Sequence, residues 1–419
     1  MIAAFPEHAS VMQGDVLRLH AAADRPVRAR LRFVRCGAHV TEQGDGAAIV
    51  SVPPALNDST IAPADWPSFG IYIPLKWKPG VYIAIFDDGT QWRRRIDGRE
   101  ARALFVVRSR QKRSRTLYNI PLFTYHAYNV ALSQNDEDAT CLYNGARSVT
   151  LSRPGGGVGG HTWDEGILDV YDPGTPRQTF AHWDARAIGW LENAGVELDY
   201  SSDLDLHEDS ELLSGYQLLL GFGHHEYWTD AMREALQRHL RAGRNAAFFS
   251  GNTCWFRTHY DASTQSISRI GRWIEDPEEN TFGVSYRFGG GKWRGGRPPS
   301  AYVVTNPQHW AFTGVDFDHR RFFGAEDRLL GYECDGAPPE PDTNFELLAE
   351  GSLRDWPVSD GSGELSGSAH ASMGIYHHAG SLFTAGTVDW SRVLSRPEPL
   401  VGRVTANVIQ RLSQGKRGA

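Results

Sequence analysis

YQLLLGFGHHEYWTDAMREALQRHLRAGRNAAFFSGN, residues 216–252, is the stretch that decides the fold of this chain. It opens with an apolar run, 216–223, of the kind that forms a strand buried on both faces. Residues 229–243 then carry apolar side chains at helical spacing, opened by Thr229 and Asp230 and closed by Gly243. NAAFFSGN (245–252) follows as a second buried strand. Strand, helix and strand with short joints imply parallel pairing through a right-handed crossover.

The same grammar continues on both sides. RTLYNIPLF (115–123), SVTLSR (148–153) and VELDYSS (196–202) read as strands. AHWDARAIGWLENAG (181–195) reads as a helix through Trp183, Ala187, Trp190 and Leu191, with Gly195 just past its end. GSLFTAGTVDW (380–390) is a strand running into a loop, and LVGRVTANVIQRLSQG (400–415) is a closing helix. Residues 116–419 are therefore expected to form one α/β domain, a mostly parallel sheet with helices on both faces. Upstream, VLRLHAAA, RARLRFVRC and GVYIAIF alternate apolar and polar positions, ALFVV (103–107) closes this part as one more strand, and Pro53, Pro54, Pro63, Pro67, Pro74 and Pro79 interrupt any helix. Residues 1–110 are expected as an Ig-like β-sandwich, joined to the α/β part by the polar linker QKRSR (111–115).

Composition narrows the function. A chain of 419 residues holds two or three domains at roughly 100–200 residues each. Its 43 Lys+Arg against 50 Asp+Glu give a net charge of −7, which argues against a nucleic-acid surface. No apolar run approaches the ~20 residues that cross a bilayer. MIAAFPEHAS lacks the basic start of a secretory signal. A cytoplasmic protein with neither membrane nor nucleic-acid partner is expected, with homo-oligomerisation left open. Cys36, Cys141, Cys254 and Cys334 form no C-x-x-C pair, which leaves free thiols rather than a zinc ribbon or a redox dithiol. The 15 Tyr, 13 Trp and 19 Phe beside 44 Gly point instead to ordered loops over a sheet.

Ligands of open α/β sheets bind beyond the carboxyl ends of the strands. Two consecutive strands end there in polar loops, His224-His225-Glu226-Tyr227-Trp228 and Gly251-Asn252, and the crossover puts both on one edge. Packing accounts for the aromatic residues, but two histidines and a glutamate exceed what packing needs. A carboxylate beside imidazole suits metal ligation or general acid–base work. The H-E-x-x-H pattern fails at Thr229, and no G-x-S-x-G elbow occurs. Cys254, just past SGN, lacks the tight Gly turn of a thiol nucleophile. TYHAYN (124–129) and CLYNGARS (141–148) place Tyr125, Tyr128 and Tyr143 in loops near strand ends. Phenolate is a hard anionic ligand that favours ferric iron, although a tyrosine so placed serves more often in packing. GGGVGG (155–160) lacks the G-K-[ST] of a phosphate loop and reads as a flexible loop, as does the basic RFGGGKWRGGRPPS (287–300). His377-His378 in GIYHHAG reads as a surface or core pair.

TYHAYN, CLY, LSRP, WLENAGVELDYSSDLDLH, GHHEYW, AFFSGNTCWFR, GYECD and AGTVDW, in this order over about 115–415, resemble the large-subunit family of N,N-dimethylformamidase. RLRFVRCG and WKPGVYIAIF resemble the β-sandwich that precedes its catalytic part. The resemblance implies a fold similar to the class I glutamine amidotransferases without their cysteine nucleophile. It implies a mononuclear iron, Fe3+, held by Tyr128, Tyr143 and Glu226. His224, Asn252 and Glu333 take the neighbouring catalytic positions. The implied activity is hydrolysis of the C–N bond of a small amide, such as an N-substituted formamide, with metal-activated water as nucleophile. The alternative is a catalytically silent relative that recognises a carbohydrate or a partner protein. Three departures stand out: His225 where the family more often has Asp, the acidic NDEDA (135–139) between the tyrosines, and no additional amino-terminal region. No small subunit can be inferred.

Overall fold

The computed structural model describes residues 1–56, 58, 61–89, 101–130, 141–143, 145–158, 170–172, 174–175, 177–292, 295–317, 321–353, 369–396 and 399–415. Eight strands come first: β1 (Ile2–Pro6), β2 (Ser10–Met12), β3 (Val16–Ala23), β4 (Val27–Cys36), β5 (Val40–Val52), β6 (Ser68–Tyr72), β7 (Gly80–Asp87) and β8 (Arg102–Arg108). They form a three-stranded sheet, β1-β3-β6, and a five-stranded one, β2-β8-β7-β4-β5. Alternation along β7 explains how both faces of the larger sheet are used. Tyr82, Ala84 and Phe86 meet Ile2, Leu17 and Leu19 of the smaller sheet in one apolar cluster. Val81, with Cys36, Leu104 and Val106, faces the other way into the core of the remaining chain. Arg35 and Glu192 pair across the same junction, at 2.5 Å.

The next elements are β9 (Thr116–Ile120), α1 (Leu122–Tyr128), β10 (Val149–Thr150), α2 (Asp184–Asn193), β11 (Asp199–Ser202), α3 (Asp203–Glu208), β12 (Leu218–Gly223), β13 (Tyr227–Thr229), α4 (Asp230–Arg241) and β14 (Asn245–Ser250). After them come β15 (Phe256–Asp261), β16 (Ser266–Gly271), α5 (Glu279–Phe282), β17 (Ser285–Gly291), β18 (Tyr302–Val304), β19 (Phe322–Phe323), β20 (Glu333–Gly336), β21 (Phe345–Ser352), β22 (His370–His377), β23 (Ser381–Thr384), α6 (Trp390–Leu394) and α7 (Pro399–Ser413). Among the described residues nine strands form the central sheet, in the order β11-β9-β12-β14-β23-β22-β21-β18-β19. Helices cover both faces, as the two unbroken apolar runs require. Leu218, Leu220, Phe222, Ala247 and Phe249 pack on the side of α2, α6 and α7. Leu219, Ala246 and Phe248 pack on the side of α1, α3 and α4. Thr229 caps α4 by accepting from the Met232 amide, and Gly243 ends that helical segment at φ +79°.

Three expectations change. The sheet is parallel only from β11 to β23, and every pairing from β23 to β19 is antiparallel. The reason is the short joint between β22 and β23, where His377 pairs with Ser381. Such a joint closes a hairpin, whereas parallel strands need a long crossover. RTLYNIPLF is not one strand: β9 stops at Ile120, and Pro121 precedes a seven-residue helix buried on all sides. Tyr125 and Tyr128 therefore sit on α1 rather than in a loop. Of SVTLSR only Val149 and Thr150 are extended, at the edge of a separate sheet, β10-β16-β15-β13. The QKRSR segment is pinned by Asp199, whose carboxylate accepts from the Arg113 and Ser114 amides. No helix among the described residues is long and apolar enough to cross a membrane.

Asp184, at the start of α2, is fully buried and accepts hydrogen bonds from the Tyr118 hydroxyl (2.7 Å) and the Tyr125 hydroxyl. Burial pushes its pKa up to about 7, against the opposing pull of the two phenols. An unfolded Asp titrates near ~3.9, so the native state binds this proton more tightly. Its stabilising effect is complete below about pH 4 and is lost as pH rises through about 7. Asp184→Asn is expected to reduce the fall in melting temperature between pH 4 and 7, read by thermal melts across that range. An unchanged slope would mean that the titration belongs to other groups.

Candidate active site

Gly223 ends β12 at φ +74°, where a Cβ would come within 2.5 Å of the Trp183 Cβ, so only glycine turns the chain here. The loop that follows is tied to α1: Thr124 Oγ1 accepts from the Glu226 and Tyr227 amides, at 3.1 and 3.2 Å. Glu226 is thereby held in the interior beside Tyr128. Its Oε2 accepts from the Tyr128 hydroxyl at 2.7 Å, and its Oε1 accepts from Asn252 Nδ2 at 2.9 Å. The same Asn252 nitrogen lies 3.2 Å from Glu333 Oε2. That oxygen is also 2.7 Å from His224 Nε2, which in turn stands 3.6 Å from Glu226 Oε2. Tyr143 joins through its ring, stacked on Tyr128 with centroids 5.3 Å apart. The structure thus brings all six sequence candidates together, from positions 128 to 333. His224, Glu226, Asn252 and Glu333 are each 3% exposed or less.

The electrostatics follow from that burial. Burial disfavours a charged His224, but Glu333 and Glu226 outweigh it and push its pKa up to about 9. Its Nδ1 lies 2.9 Å from Gln178 Oε1, and Gln178 Nε2 donates to the Tyr332 hydroxyl at 3.0 Å. Burial raises Glu226 to about 7, with Glu333 adding to the rise and His224 opposing it. Burial, then Glu226 and Glu333, hold the Tyr128 phenol well above its ordinary value.

Two neighbours take no part in this cluster. His225 packs edge-on against Phe248, with centroids 5.4 Å apart, and burial followed by the His224 charge pushes it down to about 3. It is a neutral packing residue. Cys254 is buried at φ +59°, and burial raises its thiol far above the usual range, which removes it as a nucleophile. His377 is exposed, 3.3 Å from Glu346, and His378 Nε2 lies 3.0 Å from the Thr281 carbonyl. Gly156 of the glycine run lies against the His126 ring, while residues 159–160 and the acidic 135–139 fall outside the described residues. The basic glycine-rich segment is β17 as far as Gly291.

Several residues were not legible as site components. Asp335 accepts from the Asn252 amide (2.7 Å) and the Thr253 amide (3.1 Å), and so holds Asn252 at φ +51°. One signal pointed to it: Glu333 and Asp335 are two apart on β20, so their side chains share a face. Gln178 had no such signal. A cavity of about 540 Å³ opens at the cluster; Tyr143, Glu226, Asn252 and Glu333 line it together with Trp255, Phe256, Tyr286, Arg269 and Arg272. No group of three His, Cys, Asp or Glu arranged to hold a metal occurs among the described residues. The set at issue here, two phenols and a carboxylate, contains only one residue of those types.

Comparison with known proteins gives a relative and a family. The N,N-dimethylformamidase beta subunit of Paracoccus aminophilus is 24% identical over 240 residues, 53% of this chain and 30% of that protein. The chain thus matches less than a third of that relative's length. The mmIFT52 N-terminal domain aligns over 55% of this chain and 90% of its own, at 14% identity and TM-score 0.31. A thua-like protein from Parabacteroides merdae ATCC 43184 aligns over 55% and 84%, at 12% identity and TM-score 0.30. At these scores neither bears on the fold. The family model described as N,N-dimethylformamidase beta subunit-like, C-terminal, matches residues 34–400, and the chain belongs to that family.

Proposed function

We propose that this protein hydrolyses the C–N bond of a small amide, such as an N-substituted formamide, at an iron site formed by Tyr128, Tyr143 and Glu226. The observation that carries the reading is the cluster in which buried Tyr128 and Glu226 and half-buried Tyr143 meet the His224–Glu333 pair at a cavity wall. The donor set fits the metal, because phenolate and carboxylate are hard oxygen ligands of the kind that suit ferric iron. Bound iron would polarise the amide carbonyl and make water more acidic.

The chain's own residues supply the remainder. Glu333, 2.7 Å from His224, takes the proton of the attacking water and returns it to the leaving nitrogen as the C–N bond breaks. His224, held through Nδ1 by Gln178, balances the charge of the two carboxylates. The Asn252 amide, which bridges Glu226 and Glu333, donates to the oxygen that gains charge. Trp255, Phe256 and Tyr286 give the same cavity an apolar surface for the substrate.

The proposal includes a cytoplasmic enzyme of two domains, an Ig-like sandwich (1–110) and an α/β domain (116–419) resembling the class I glutamine amidotransferases. The matched relative is named as a beta subunit, which supports assembly with further subunits. Metal analysis with visible absorption of the purified protein tests the reading. About one iron per chain is expected, with a tyrosinate-to-iron absorption band that weakens in Tyr143→Phe. A colourless protein that takes up no iron would overturn it.

A further inference from the structure

Gln178 reaches the cluster from the segment that leads into α2. It is 1% exposed, and the two polar ends of its side chain go to two different side chains. Its Nε2 donates to the Tyr332 hydroxyl at 3.0 Å, and its Oε1 lies 2.9 Å from His224 Nδ1. An amide oxygen only accepts, so the second contact requires a proton on Nδ1. The other ring nitrogen, Nε2, stands 2.7 Å from Glu333 Oε2. Tyr332 directly precedes Glu333 in the chain. Gln178 therefore spans the pair: one end holds His224 and the other holds the neighbour of Glu333.

The backbone gives a second, independent sign. Gln178 sits at φ +59°, a left-handed conformation that a residue with a Cβ rarely adopts. Such strain persists only where the surroundings hold it, and it gathers at functional sites. The surroundings do hold it here. The Phe180 amide donates to the Gly157 carbonyl at 2.8 Å, and the His182 and Trp183 amides donate to the Thr179 carbonyl at 3.1 and 3.2 Å. Asp172 clasps the same segment, 3.0 Å from His182 Nδ1 and 2.7 Å from the Arg186 guanidinium. Other residues of the segment meet the same two partners. Arg177 lies 4.3 Å from the centre of the Tyr332 ring, and the Trp183 ring meets those of His224 and Tyr332 at 6.4 and 6.3 Å. A buried glutamine that served packing alone could satisfy its amide on any nearby backbone group, with no need of a strained φ.

The last torsion of a histidine is roughly two-fold, and turning the ring over puts carbon where each of these nitrogens stood. A C–H would then face Glu333, and another would face Gln178. We infer that Gln178 is a positioning residue: by accepting from Nδ1 it fixes the His224 ring with Nε2 on Glu333. The consequence for turnover rests on the hydrolase reading, in which His224 supports Glu333 as the proton is taken and returned, and two measurements separate the two. The first uses the full chain free of iron and labelled with 15N-histidine. The His224 Nδ1–H is buried and hydrogen-bonded, so it is expected to give a slowly exchanging imidazole N–H signal, assigned by its loss in His224→Gln. Gln178→Glu keeps an accepting oxygen and should keep the signal. Gln178→Met, of similar length and equal backbone strain but with no amide oxygen, should lose it. A signal retained in Gln178→Met overturns the inference. If that variant does not fold, Gln178→Asn, which tolerates a left-handed backbone but is too short to reach His224, takes its place. The second measurement is turnover of N,N-dimethylformamide by iron-loaded protein. In Gln178→Met kcat is expected to fall at least ~tenfold with KM within about twofold of native, and Gln178→Glu should recover most of the loss. Iron content should be the same in all three proteins, because the hydrogen bonds of Gln178 go to His224 and Tyr332 and not to Tyr128, Tyr143 or Glu226. An unchanged kcat in a variant that has lost the signal overturns the inference as well. The expected pattern of signals in a protein that takes up no iron upholds the hold on His224 and overturns the hydrolase reading.

Discussion

Glu226→Gln is expected to lower iron content and amide turnover by on the order of a hundredfold or more while leaving the fold in place. Glutamine matches glutamate in shape: its oxygen can still accept from Asn252 at 2.9 Å, while its NH2 can donate to the Tyr128 oxygen, which then accepts instead of donating. The variant loses the carboxylate donor of the set and leaves Tyr128 and Tyr143 as the remaining ligands. Stability should change little, because Glu226 is itself raised to about 7 by burial and gains little from being charged in a dry interior. The His224 charge keeps Glu333 as its close partner. Metal analysis, visible absorption and a thermal melt on the same sample read all three quantities. A Glu226→Gln protein with its full complement of iron would remove Glu226 from the ligand set.

Asp335→Ala should be the most destabilising change near the site, by about 3–5 kcal/mol. The Asp335 carboxylate is 1% exposed and accepts from two consecutive backbone amides, Asn252 at 2.7 Å and Thr253 at 3.1 Å. Alanine would leave both N–H groups buried without an acceptor, at roughly 1–3 kcal/mol each, and open a small cavity as well. The left-handed conformation of Asn252 at φ +51° would lose its restraint, and its amide would no longer bridge Glu226 and Glu333. Asp335→Asn keeps one accepting oxygen and should lie between the two. Urea unfolding of the three proteins measures the series. A loss under about 1 kcal/mol for alanine would show that the 251–253 loop is held by other contacts, among them the close approach of Gly251 to the Glu333 carbonyl.

In residues 216–252 the strand–helix–strand order is set by local signals and the structure follows it. Two apolar runs separated by a capped amphipathic helix leave little choice but a crossover. That topology alone put His224, Glu226 and Asn252 on one sheet edge. The alternation in β3, β4 and β7 is equally plain. Other features depended on partners far along the chain. α1 has neither a capping side chain nor a polar face, so its seven residues carry no helical pattern and are helical because of what surrounds them. The antiparallel half of the sheet follows from a hairpin joint at 378–380, where Gly380 packs against the Arg244 backbone. By itself the sequence determined the chemical types at the site and the sheet edge that carries three of them. Only the tertiary structure decided that Glu333 and not His225 faces His224, and that Gln178 and Asp335 support the cluster. It also set Arg269 and Arg272 in the lining of the same cavity as Glu226 and Glu333. The physical reason is that local pattern records which face of an element is buried, whereas contact between residues 128, 226, 252 and 333 is settled by how the packed layers meet.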